Sequence, residues 1–118
     1  MDERRAARVS EAVREELSEI LNFEMDDPRL KGLDVTDVQL TPDGKQARVK
    51  VALFGSEKEQ ESAGEALEHA RNYLRHELAR RLTLRRVPEL VFSTDQFQGV
   101  AERVDILLKR AKKKRGTA

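Results

Sequence analysis

Residues 70–92 read Ala70-Arg71-Asn72-Tyr73-Leu74-Arg75-His76-Glu77-Leu78-Ala79-Arg80-Arg81-Leu82-Thr83-Leu84-Arg85-Arg86-Val87-Pro88-Glu89-Leu90-Val91-Phe92, and the rest of the chain is organised around them. Leu74, Leu78 and Leu82 recur at four-residue steps, so one helical stripe faces a core while arginines fill the other positions. Val87-Pro88 stops that helix, because proline has no amide hydrogen and pushes the preceding residue out of the α region. Leu90-Val91-Phe92 then reads as a buried strand, placed near Glu89–Ser93.

Upstream, the leucine stripe continues through Ala63, Ala66, Leu67 and Ala70. Ser56 followed three residues later by Glu59 forms a capping-box signature, so the helix should begin near Glu57. The resulting helix is longer than most globular helices. Four-residue steps drift around a straight helix, so the stripe leaves the core unless the helix bends, and Asn72 is the residue best suited to a bend. Periodicity does not choose between one bent helix and two.

Nearer the start, Val9, Ala12, Val13, Leu17, Ile20 and Leu21 mark an amphipathic helix from Arg5 to about Phe23. Asp26-Asp27-Pro28 ends it. Leu33–Leu40 and Gln46–Phe54 read as two strands joined by Thr41-Pro42-Asp43-Gly44-Lys45, a hairpin with turn residues where they are needed. In the second strand Ala47, Val49, Val51 and Leu53 alternate with Arg48 and Lys50, giving one buried face and one wet, basic face. Val35 and Val38 are out of step, which calls for a bulge or a late strand start. At the far end Phe97, Val100, Val104, Leu107, Leu108 and Ala111 mark a last helix, and Lys109–Arg115 carries six basic residues in seven. Residues 1–108 are expected to form a single domain, with 109–118 a basic, disordered tail.

The 118 residues, 38% hydrophobic and 38% charged, suit one small domain with a heavily solvated surface. The net charge of +1 hides a segregation. Between Arg71 and Arg86 six arginines face one glutamate, whereas between Met1 and Glu24 four arginines face seven acidic residues. That separation is the footprint of a protein that meets a polyanion on one side. With no cysteine there is neither a disulfide framework nor a thiolate metal site. No apolar stretch follows the first residues and no apolar run approaches the ~20 residues of a membrane span, so the expectation is a cytoplasmic protein without a secretory leader.

Catalytic chemistry finds little purchase. His69 and His76 lie seven residues apart, about 10.5 Å along a helix axis, too far to share a metal. Ser56 lacks a nucleophile-elbow setting, and its capping role accounts for it. The six glycines are scattered singly, so no loop cradles a phosphate. The carboxylates alternate with arginines on helix surfaces, as solvated i,i+4 partners do. The expectation is no enzyme, no cofactor, no metal and no small-molecule substrate.

The element order is that of an α+β domain of the KH type II class: α-β-β-α-kink-α-β plus a C-terminal helix, with a small three-stranded sheet and the helices packed on one face. More specifically, Leu40-Thr41-Pro42-Asp43 leading to Ala47-Arg48-Val49-Lys50-Val51, then Phe54-Gly55-Ser56-Glu57, Tyr73-Leu74-Arg75-His76-Glu77-Leu78, Leu82–Phe92 and Arg103-Val104-Asp105-Ile106-Leu107-Leu108 together resemble the ribosome-binding factor A family. The resemblance covers nearly the whole chain. It implies a monomeric bacterial assembly factor that binds the immature 30S small ribosomal subunit and its 16S rRNA. It also implies assistance in late maturation, including processing of the 5′ end of the rRNA precursor, and a link to growth in the cold. KH domains grip single strands with a Gly-x-x-Gly loop that is missing here. In the resembled family an Ala-x-Gly bend takes its place, matched by Ala70-Arg71-Asn72, with asparagine standing where the family keeps glycine.

Helical angles put Asn72, His76 and Arg80 on one ridge with Arg75 beside it. Arg71, Arg81, Arg85 and Arg86 extend this candidate RNA-binding surface, where each neutralised phosphate would release counterions. Tyr73 could stack on a base or pack at the bend. Lys45, Arg48 and Lys50 could extend the basic face across the hairpin or simply solvate it. The basic tail could anchor RNA or serve solubility. The competing reading is a KH-like protein–protein module whose arginines only keep it soluble.

Overall fold

A computed structural model describes residues 2–97 and 108. The elements in chain order are α1 (Glu3–Glu19), a single π-helical turn (Ile20–Glu24), a 3-10 turn (Pro28–Leu30), β1 (Asp34–Leu40), β2 (Gln46–Phe54), α2 (Glu57–Arg81) and β3 (Glu89–Phe97). Of the expected helix from Phe97 to Ala111, Phe97 instead ends β3, because its backbone pairs with Phe54, and Leu108 is helical; the other residues of that helix and the 109–118 tail lie outside the described residues.

Asp2 caps α1 by accepting a hydrogen bond from the Arg4 amide at 2.8 Å. The helix widens into the π turn, which buries Ile20 and Leu21 completely and leaves Phe23 81% exposed. The hairpin forms as its sequence requires. Gly44 sits at φ 72°, and the Asp43 carboxylate accepts from the Thr41 hydroxyl at 2.6 Å and the Lys45 amide at 3.0 Å. The register of β1 on β2 slips between Val35 and Asp37, so Thr36 is the bulged residue, and its hydroxyl donates to the Lys50 carbonyl at 3.2 Å. That slip reconciles the mismatched valines: Val35 and Val38 are both buried.

β2 is the centre of a three-stranded sheet of order β1-β2-β3, antiparallel to β1 and parallel to β3. A parallel partner needs a crossover, and α2 supplies it. The Ser56 hydroxyl accepts from the Glu59 amide at 3.1 Å while the Glu59 carboxylate accepts from the Ser56 amide at 3.3 Å, completing the capping box. Both helices cover one face of the sheet. Val13 and Leu17 from α1, Leu67, Leu74 and Leu78 from α2, and Val49, Val51 and Leu90 from the sheet close into one core. Each fully buried leucine contributes roughly 1.5–3 kcal/mol. Arg48 and Lys50 stand exposed on the opposite face.

Two expectations change. The helix does not divide at Ala70-Arg71-Asn72: α2 runs unbroken for 25 residues, and among the described residues only glycines take a positive φ. Asn72 is therefore an ordinary exposed helical residue, and Ala70 is a buried packing residue. The physical reason is that the stripe ends with the helix: Leu74 and Leu78 are fully buried, but Leu82 is already extended, at φ −113° and ψ 138°, as the C-cap. The drift that seemed to demand a bend is thereby shortened by one step. The second change is length. β3 runs to Phe97 rather than Ser93, paired with β2 at every position from Gln46↔Glu89 to Phe54↔Phe97.

Candidate nucleic-acid interface

The interface is built on the outer side of α2 and the loop that follows it. Capping and the buried leucines fix the helix, leaving the positions between them in water. Asn72, His76 and Arg80 are exposed at four-residue steps, forming the ridge expected of them. Arg71 is half-buried and paired with Glu68. Arg75 is exposed, and its guanidinium donates to the Val87 carbonyl at 3.2 Å, tying the helix to the loop. Arg71, Asn72 and Arg75 meet at a cleft of about 220 Å³ closed by Glu68, Glu89 and Leu90. Arg80, with 67% of its side chain exposed, donates to Glu77 at 3.0 Å. Tyr73 is 45% exposed, so its ring is open to a partner rather than enclosed.

Arg81 does not join this ridge. Its guanidinium reaches back to α1 and the π turn, pairing with Glu24 and lying 3.4 Å from both Glu16 and Glu77. The hydrogen bonds with Glu24 raise the Arg81 pKa above the ordinary guanidinium value and hold the Glu24 carboxyl below the ordinary carboxylate value. A cation already surrounded by three carboxylates is a tertiary clasp, poorly placed to take a phosphate.

Arg85 and Arg86 occur in the loop of residues 82–88, where Leu84 donates its amide to the Leu82 carbonyl at 3.0 Å and Pro88 is buried. The Glu89 amide donates to the Lys45 carbonyl at 2.8 Å, which docks this loop against the β1–β2 turn. Both arginines are exposed, and neither forms an ion pair with another described residue. They border a cleft of about 650 Å³ together with Arg5 of α1, a residue that sequence reasoning did not select. Nothing local marks Arg5, since its placement depends on how α1 crosses the hairpin. A further cleft of about 680 Å³ lies at the start of α2, where Lys31 and Lys58 were also passed over and Arg29 is held by Asp27 at 2.8 Å.

Among the described residues, no group of three or more His, Cys, Asp or Glu side chains is arranged to hold a metal, and no helix is long and apolar enough to cross a membrane. A mixed three-stranded sheet, one face covered by an N-terminal helix and a long crossover helix, defines an α+β domain of the KH type II class. The profile of the family described as "Ribosome-binding factor A" matches residues 5–108. The ribosome-binding factor A of Solibacter usitatus (strain Ellin6076) is 59% identical over 116 residues, 98% of this chain and 94% of that protein. The crystal structure of ribosome-binding factor A from Thermus thermophilus is similar with a TM-score of 0.66 and 35% identity, covering 75% of this chain and 93% of that one. A homology model of the Thermus thermophilus factor, fitted into a cryo-EM map of a 30S complex, matches with a TM-score of 0.57 and 37% identity, covering 75% and 89% of the two chains. The chain belongs to the ribosome-binding factor A family.

Proposed function

We propose that this protein binds the 30S small ribosomal subunit by contacting its 16S rRNA, and assists the late maturation of that subunit, including processing of the 5′ end of the rRNA precursor. It acts in the cytoplasm as a monomer and without catalysis, as a binding factor that holds immature RNA in a productive arrangement. Residues 1–108 form the binding domain, and the basic segment 109–118 adds sequence-blind attraction for phosphate. The observation that carries this reading is the likeness to the Thermus factor fitted into a 30S complex, joined to an exposed cationic surface on α2.

Arg71, Asn72, Arg75, His76 and Arg80 form the principal contact, with Arg85 and Arg86 adjoining it, while Arg81 serves the fold. The test is sedimentation of the purified protein with small subunits at increasing salt. Binding is expected at low salt, weakening steeply as salt rises, because each phosphate contact releases a counterion. R75A/R80A should weaken association while leaving the protein folded, with thermal stability lowered only slightly by loss of the bonds to Val87 and Glu77. Absence of binding to small subunits even at low salt would end the proposal. A complex indifferent to both salt and ribonuclease would favour a protein–protein module instead.

A further inference from the structure

The cleft beside Arg85 and Arg86 has features that the α2 ridge lacks. Five of the chain's other arginines, Arg14, Arg29, Arg71, Arg80 and Arg81, each lie on a carboxylate. Arg5, Arg85 and Arg86 come from sequence positions about eighty residues apart, converge on one cleft, and have no such partner among the described residues. The same cleft is lined by apolar surface, since Val9, Leu40 and Leu84 border it and are only half-buried. Uncompensated guanidinium groups around an aliphatic floor match a phosphate joined to a flat, weakly polar ring. The volume of about 650 Å³ accommodates one nucleotide. A duplex, with its bases stacked inside, could offer only its outer phosphates.

The hairpin turn supplies a charge of the other sign. Asp43 borders the cleft at the hairpin turn, with one carboxylate oxygen engaged by the Thr41 hydroxyl at 2.6 Å and the Lys45 amide at 3.0 Å. Those bonds hold its pKa below the ordinary carboxylate value, so it is ionised at neutral pH. A phosphate is repelled from that end and drawn to the arginines. The second carboxylate oxygen is left to accept from a base amino group, which adenine, cytosine and guanine carry and uracil does not.

We propose that this cleft is a second RNA contact, sharing no lining residue with the one on α2, which takes a single unstacked nucleotide with its phosphates on Arg5, Arg85 and Arg86 and its base over Val9 and Leu84. The inference rests on the reading of the protein as an rRNA-binding factor. It gives the three arginines, the apolar floor and the turn carboxylate one common ligand: single-stranded RNA, read weakly for an amino-bearing base.

The experiment measures fluorescence anisotropy of labelled C6 and U6 RNA and of a 12-base-pair RNA duplex, with the full chain and three variants, alongside sedimentation with small subunits. R5A/R85A/R86A should lower affinity for C6 by at least about tenfold and flatten its log–log salt slope by about 1.4, at roughly 0.7 for each of the two phosphates that flank one nucleotide of a single strand. L84D, with circular dichroism confirming the fold, should weaken C6 binding more than duplex binding. D43N should narrow the preference for C6 over U6. If the intact protein sediments with small subunits but the triple variant holds C6 as tightly as wild type, the cleft is overturned and the broader reading survives. Equal loss of C6 and duplex binding in L84D would also overturn it, as would no preference between C6 and U6 in the intact protein. Failure of the intact protein to bind either RNA or subunits would instead defeat the broader reading.

Discussion

Replacing Glu77 with glutamine should loosen the fold slightly and tighten RNA binding, and the opposite signs make the change informative. Glu77 has only 9% of its side chain exposed and sits between two cations, with Arg80 at 3.0 Å and Arg81 at 3.4 Å. Glutamine keeps the volume and one acceptor but removes the charge. The pair with Arg80 is worth little to stability, roughly 0.2–1 kcal/mol, because the Arg80 side chain is 67% exposed and water screens it. For a domain of this size that corresponds to a melting temperature lower by about 1–6 °C. On the RNA side the same substitution releases Arg80 from its carboxylate and removes a negative charge from beneath the ridge. If Arg80 then engages one further phosphate, the log–log dependence of affinity on salt steepens by about 0.7. Arg80→Ala should leave the slope shallower than that of E77Q by the same amount. The assay is a salt titration of binding to 16S rRNA for wild type, E77Q and R80A, with thermal melts of each. Identical slopes in all three proteins would refute the idea that α2 presents Arg80 to a phosphate. A lower melting temperature without a steeper slope would leave Glu77 a purely structural residue.

Other perturbations test the fold and its clasp. Asn72→Ala should stabilise the protein by up to ~0.7 kcal/mol in denaturant unfolding, since alanine is the better residue in an unbroken helix, whereas a left-handed bend there would make the same change destabilising. Leu78→Ala, at a position with no exposure, should cost about 3–5 kcal/mol in the same assay. Ser56→Ala should cost ~1 kcal/mol by removing the oxygen that accepts from the Glu59 amide. The Glu24–Arg81 pair should be sensitive to acid. The Glu24 pKa is lowered in the fold from its ordinary 4.5, so the stability it contributes is complete above that value and is lost as pH falls through the folded one. The difference in melting temperature between wild type and Arg81→Ala should therefore shrink from about pH 6 to about pH 3, and a constant difference would exclude the clasp.

What could be read from sequence was the part of the structure set by near neighbours. The bounds of β2, the hairpin turn and the Ser56–Glu59 cap all follow from residues within a few positions of one another, whereas the mismatched valines left a bulge and a late strand start open until the register placed the bulge at Thr36. β3 outran its expected length because Thr94, Asp95 and Gln96 carry no hydrophobic signal. On an edge strand, pairing through backbone groups suffices to extend it. Asn72 keeps a helical backbone, because a residue permitted the left-handed conformation is not thereby required to take it. At the candidate interface, the ridge of Asn72, His76 and Arg80 was legible from helical angles. The diversion of Arg81 to Glu16 and Glu24, and the arrival of Arg5 beside Arg85 and Arg86, depend on how α1 packs. No spacing within either segment encodes it.

The parallel pairing of β2 with β3 has a consequence for how the chain is made. Gln46 pairs with Glu89, forty-three positions later, so the inner strand of the sheet is synthesised well before its second neighbour. At about 5–20 residues per second, translation leaves that flank of β2 without its partner for roughly two to nine seconds. An apolar strand with an open edge is a template for pairing with another nascent chain. Arg48 and Lys50, alternating with Ala47, Val49 and Val51, place two positive charges on one face of that strand and so act as gatekeepers against misassembly. Charges that contribute little to the finished fold thus protect its unfinished form until α2 has crossed over and β3 closes the sheet.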